Sequence, residues 1–138
     1  MRVFILLSTL LLFNSSILAQ FQKTFYNSYE LSDSIKLLKV DFGTEATIES
    51  WVGSAILIET QVSIESGNNN LFEALKEAGR YDLVEEKVDS TFIISPKLKD
   101  RPIIQNQLGE IGEIIVIKIL LPDSFVSTDP TLWKKKEE

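Results

Sequence analysis

The chain contains neither cysteine nor histidine. Without them no Ser-His-Asp or Cys-His catalytic system can be assembled from its own residues, and thiolate metal sites are excluded. The commonest general base and the commonest metal ligand are missing together. No disulfide can staple the fold and no cysteine can carry a lipid anchor, so stability must come from apolar burial. Glycine and proline are sparse, six and four in 138 residues. The glycines, at 43, 53, 67, 79, 109 and 112, form no GxGxxG or GxxxxGK[ST] phosphate loop and fall at the ends of expected elements. Positive charge is in deficit: 14 Lys and Arg against 20 Asp and Glu give −6, a balance that disfavours contact with nucleic-acid phosphates.

What is present begins with a leader. Arg2 precedes a nearly unbroken apolar run, Val3 to Phe13, and Ala19-Gln20 offers a small residue at a cut, so residues 1–19 read as a secretory signal peptide. A run of eleven residues, broken by Ser8 and Thr9, falls short of the roughly 20 that a spanning helix needs, and no later stretch is long enough. No membrane span is therefore expected after cleavage. Residues 20–138, one arginine fewer and so at −7 (13 minus 20), suit one domain. The expectation is an exported protein of the periplasm, outer envelope or extracellular space, with a β-rich domain over 20–125 and a polar tail over 126–138.

Ile114 to Leu121 organises that domain. Seven of its eight side chains are aliphatic and five are β-branched, a continuity that predicts an interior strand, buried on both faces and closed by Pro122. Ile35 to Phe42 alternates, with Leu38, Val40 and Phe42 on one face. Ala55 to Glu65 alternates most cleanly, Ile56, Ile58, Thr60, Val62 and Ile64 against Leu57, Glu59, Gln61, Ser63 and Glu65. With Ala46 to Val52 before it and Gly53-Ser54 between, the pair predicts a β-hairpin. Phe21 to Ser34 reads as an edge strand or ordered arm. Leu71, Phe72, Leu75 and Ala78 fall at helical spacing, with Asn70 placed as the cap and Gly79 as the stop, so one short helix is expected near 70–78, laid on the sheet. Tyr81 to Val88 and Ser90 to Ser95 resume strand character, Gln105 to Glu113 reads as an exposed turn, and Trp133 is free to pack back onto the sheet. The fold class is mainly β: an antiparallel-rich sheet, sandwich-like or the start of a β-solenoid, with one short helix.

The acids that remain for catalysis, such as Glu49, Glu59 and Glu65, sit at outward alternate positions that solvation explains, so no catalytic residue, cofactor or metal ligand is assigned. Asn68-Asn69-Asn70 matches no calcium loop, and a turn with a helix cap accounts for it. Trp51 is the sole candidate contact. Alternation sets it opposite Ile48 beside the expected turn, where an outward indole would anchor a partner or stack on a sugar; otherwise it covers the sheet edge or packs under the helix.

The leader, the strand ending at Gly43, the segment Thr47-Ile48-Glu49-Ser50-Trp51-Val52-Gly53-Ser54-Ala55-Ile56-Leu57-Ile58-Glu59, the helical insertion, and the strand closing Ile119-Leu120-Leu121-Pro122 together resemble the adhesin-like domains of bacterial envelope proteins. The similarity covers residues 35–122. It implies a β-solenoid or sandwich at the cell envelope, with no catalytic residues to carry over. The chain departs from that pattern after Pro122, where the family adds further rungs and sixteen residues remain. A non-catalytic envelope protein, adhesin-like or structural, whose partner is an envelope component or polymer, is the expected function. A periplasmic carrier holding a small apolar ligand between sheet and helix is the alternative. An unpaired edge strand would allow a second copy to join.

Overall fold

The computed structural model describes residues 20–138 as two β-sheets packed face to face with one helix at the side. The leader lies outside the described residues. The strands are β1 (Gln20–Glu30), β2 (Leu37–Val40), β3 (Ala46–Trp51), β4 (Ala55–Glu65), β5 (Leu83–Val88), β6 (Thr91–Pro96), β7 (Ile104–Asn106), β8 (Gly109–Ile111), β9 (Glu113–Pro122), β10 (Phe125–Asp129) and β11 (Leu132–Lys135), with helix α1 at Asn69–Glu77. One sheet has the order β1-β4-β9-β3 and the other β10-β11-β2-β6-β5, while β7 and β8 form a separate ribbon. Six of the eight strand pairings are antiparallel; β2 with β6 and β3 with β9 are parallel. The mainly β expectation holds, in its sandwich form.

The core lies between the sheets. Ile56, Ile58, Val62 and Ile64 of β4 and Ile115, Ile117, Ile119 and Leu121 of β9 face Leu38, Val40, Phe92, Ile94 and Trp133 of the other sheet. Each set repeats every second residue, the period at which a strand returns to one face. Burying an Ile or Phe side chain stabilises by roughly 1.5–3 kcal/mol, so this shared layer can replace the staples the chain lacks.

The helix is built as its local sequence dictates, with one difference. Asn68, not Asn70, is the cap: its Oδ1 accepts from the Leu71 amide at 2.9 Å. At the other end Gly79 takes φ +80°. Its amide donates to the Lys76 carbonyl at 2.9 Å and the Arg80 amide to the Leu75 carbonyl at 3.1 Å, the pair of bonds that ends a helix on a left-handed residue. Phe72 is 1% exposed, with its ring centroid 6.0 Å from Phe21, 6.3 Å from Phe25 and 5.7 Å from Tyr81.

Three further expectations are corrected. β3 and β4 do not form a hairpin. β9 lies between them, parallel to β3 and antiparallel to β4, so Gly53-Ser54 carries the chain over the end of β9. The ten-residue β9 offers β3 a more apolar neighbour than a local turn would, and tertiary pairing overrides the short-range signal. Residues 126–138 are not a solvated tail: β11 pairs with β2 and inserts Trp133, 9% exposed, into the core. The Lys134-Lys135-Lys136 run hid a strand whose inward residue is that indole. Finally, β9 is central in its sheet but open to solvent on one face, where Ile114 is 60% and Val116 49% exposed.

Candidate functional site

The open face of the four-stranded sheet follows from that register. Side chains aligned across it form rows: Tyr26, Glu59, Lys118 and Thr47; Ser28, Leu57, Leu120 and Glu49; Thr24, Gln61 and Val116; Gln22, Ser63 and Ile114. Had β3 and β4 paired directly, Lys118 and Leu120 would not stand between Glu59 and Thr47, or between Leu57 and Glu49. Tyr26 is 71% exposed, whereas Leu57 and Leu120 are half-buried. Tyr26, Leu57 and Leu120, with the stems of Glu59 and Lys118, line a groove of ≈ 240 Å³. Lys118 Nζ stands 3.3 Å from a Glu49 carboxylate oxygen, so the rim of the groove carries both charges. The face is mixed: Leu57, Leu120, Val116 and Ile114 on the two central strands alternate with Glu59, Gln61, Ser63 and Lys118.

A second cluster closes one end of the sandwich. Glu113, at the start of β9, accepts from Arg80 Nε at 3.0 Å and Nη2 at 3.0 Å, and from the Tyr81 hydroxyl at 2.7 Å. Both charged side chains are one-tenth exposed. Arg101 grips Glu45 through both terminal nitrogens at 3.1 Å. Burial, then the hydrogen bond to Glu113 and the negative charge of that carboxylate, hold the Tyr81 phenol well above its ordinary pKa of 10.0; Arg80 and Arg101 oppose them more weakly. Each guanidinium meets one carboxylate, and Glu113 spends both oxygens on Arg80 and Tyr81. The arrangement anchors the crossing from β6 to β9, through the β7–β8 ribbon, onto the end of α1.

The expected ligand space between sheet and helix is occupied by Phe72 with Phe21, Phe25 and Tyr81. Trp51 does not reach outward freely. Its indole N–H donates to the Ala55 carbonyl at 2.9 Å, and a Cβ added at Gly53 would fall 2.1 Å from the ring. Trp51 therefore covers its own turn, half-buried, on the same face as Thr47 and Glu49 but outside the groove at Tyr26. The contact residues that sequence reasoning missed are Tyr26, Leu57, Leu120, Ile114 and Val116. The last two lay inside the run taken as doubly buried, and Leu57 stood among the wet residues of β4. Among the described residues no three acids gather as metal ligands, and no helix is long and apolar enough to cross a membrane.

Comparison with protein families, with curated proteins and with solved structures found no match to this chain.

Proposed function

We propose that this chain is a non-catalytic binding module of the bacterial cell envelope, exported by its leader, that meets an envelope component through the open face of the four-stranded sheet. The observation that supports the reading most is the set of exposed apolar side chains on that face. Tyr26, Ile114 and Val116, between 49% and 71% exposed, share one face with Leu57 and Leu120, on the side of the sheet that the core does not use. Solvent exposure of that many large apolar side chains on one face is unfavourable unless a partner covers them. The absence of histidine and cysteine and the pairing of Glu113 fit a role by contact rather than by chemistry.

The same groove supports a second reading, in which an apolar small molecule rests against Tyr26, Leu57 and Leu120. The two are separated by one preparation. Purified protein is passed over the insoluble envelope fraction of its own cells and also inspected by native mass spectrometry. The module reading expects retention by the envelope fraction, falling at least about tenfold with Tyr26→Ser while the melting temperature stays put, since a buried aromatic anchor contributes 2 kcal/mol or so to a contact. Retention unchanged by that substitution contradicts it. A copurified apolar molecule lost with Tyr26→Ser would favour the carrier.

A further inference from the structure

The four strands at the sheet margins are not protected alike. β3 is a six-residue edge carrying Glu49, β5 carries Glu85, Glu86 and Lys87 in succession, and the five-residue β10 loses register between Ser127 and Asp129. Short length, charge and irregularity are the devices that keep a sheet edge from pairing with another chain. β1 is the longest and most regular of the four, and sparse charge is its one protection. It runs eleven residues without proline, keeps unbroken register with β4 from Gln20 to Glu30, and carries charge only at Lys23 and Glu30. Among the described residues β4 is its one neighbour.

The sequence of β1 also repeats itself in reverse. Read outward from Phe25, its core-side row runs aromatic, polar, aromatic, polar, aromatic: Phe21, Lys23, Phe25, Asn27, Tyr29. Its solvent-side row is Gln22, Thr24, Tyr26 and Ser28. A second β1 laid antiparallel about a two-fold axis through Phe25 would place Phe25 on Phe25, Phe21 on Tyr29, Lys23 on Asn27 and Thr24 on Tyr26, every pair on the same face of the joined sheet. No like charges meet in this register. It also sets an ammonium donor opposite Asn27, whose Oδ1 is buried without a hydrogen-bond partner. The aromatic row stays half-exposed at the open edge in the single chain, so a partner strand would cover it further.

We infer that β1 is a self-pairing edge: two copies of this chain join through antiparallel β1 strands, in the register that sets Phe25 on Phe25, to form one eight-stranded sheet. The two Tyr26 grooves then lie side by side on a single continuous face, which makes any contact through that face bivalent. The isologous geometry closes after two copies and does not propagate.

Sedimentation equilibrium on the purified full chain over a wide concentration range tests it. Twice the chain mass is expected, with β1 amides exchanging more slowly as concentration rises. Thr24 and Tyr26 lie on the solvent face, so their replacement leaves the core intact. Thr24→Lys with Tyr26→Lys sets lysine against lysine twice and should weaken the dimer by about tenfold or more. Thr24→Glu with Tyr26→Lys sets opposite charges together twice and should keep it. A chain that stays monomeric, a dimer indifferent to the lysine pair, a Glu/Lys variant that fails to dimerise, or a monomer carrying a foreign peptide on β1 would each overturn the proposal. Concentration-dependent exchange at β1 reads out on the unmodified protein even where a variant folds poorly.

Discussion

Phe72→Ala is expected to cost about 3–5 kcal/mol of folding stability, the range for removing a fully buried Phe. Three features put it there. Phe72 is 1% exposed, touches three other rings, and is the only fully buried residue of a nine-residue helix. Helices of that length are marginal in water without packing, so the substitution opens a cavity and also removes what keeps α1 folded. Half-buried Phe21 and Phe25 would lose their cover with it. Urea titration followed by far-ultraviolet circular dichroism gives the number. A loss below about 1 kcal/mol, the scale of an ordinary surface change, would show that the aromatic cluster is not packed as described. Ala78→Ser, at an exposed position of the same helix end, should be close to neutral and serves as the control.

Glu113→Gln is the second large effect. The amide keeps the shape but leaves the Arg80 guanidinium, one-tenth exposed, without a counter-charge, and breaking a buried pair from one side costs about 3 kcal/mol. Replacing both partners, Arg80→Met with Glu113→Leu, should cost less than the single change, because no charge is then stranded. Additive losses would contradict that account. The same cluster sets an alkaline limit. The folded state prefers the protonated phenol of Tyr81, chiefly through burial and then through the hydrogen bond to Glu113, and Tyr29 is raised in the same direction by burial and Glu85. A raised pKa in the folded chain contributes stability that is whole below pH 10 and declines as pH climbs above it. The urea midpoint should therefore hold between pH 8 and 10 and fall beyond, with a shallower fall in Tyr81→Phe.

Local patterns predicted what they physically encode. The alternation from Ala55 to Glu65 named the buried row of β4, and Leu38, Val40 and Phe42 share an inward face as their spacing requires. The helix was legible from Leu71, Phe72 and Leu75, although three successive asparagines left the cap ambiguous. Strand partnership was not legible, because β3 chose β9, its paired residues such as Ala46 and Ile117 standing 71 positions apart, over the nearer β4, and nothing in a tolerant Gly-Ser turn forbids either choice. The open face was hidden for a related reason. A strand buried on both sides and one apolar on both sides for different purposes read identically, so Ile114 and Val116 could not be told from Ile115 and Ile117. β11 escaped notice because Lys134 to Lys136 suggested solvent, while Leu132 and Trp133 carried the strand.

The composition of the open face and the groove at Tyr26 require β9 to lie between β3 and β4. A chain free of cysteine allows that to be tested with introduced pairs. Thr47→Cys with Lys118→Cys joins neighbours on the open face of β3 and β9, within disulfide reach, and should oxidise fully in the folded protein. Thr47→Cys with Glu59→Cys joins positions two strands apart, which a hairpin of β3 and β4 closed by Val52-Gly53-Ser54 would have made adjacent, and should remain reduced. The reverse outcome, a bridge from 47 to 59 and none from 47 to 118, would contradict the strand order and with it the face on which the functional reading rests.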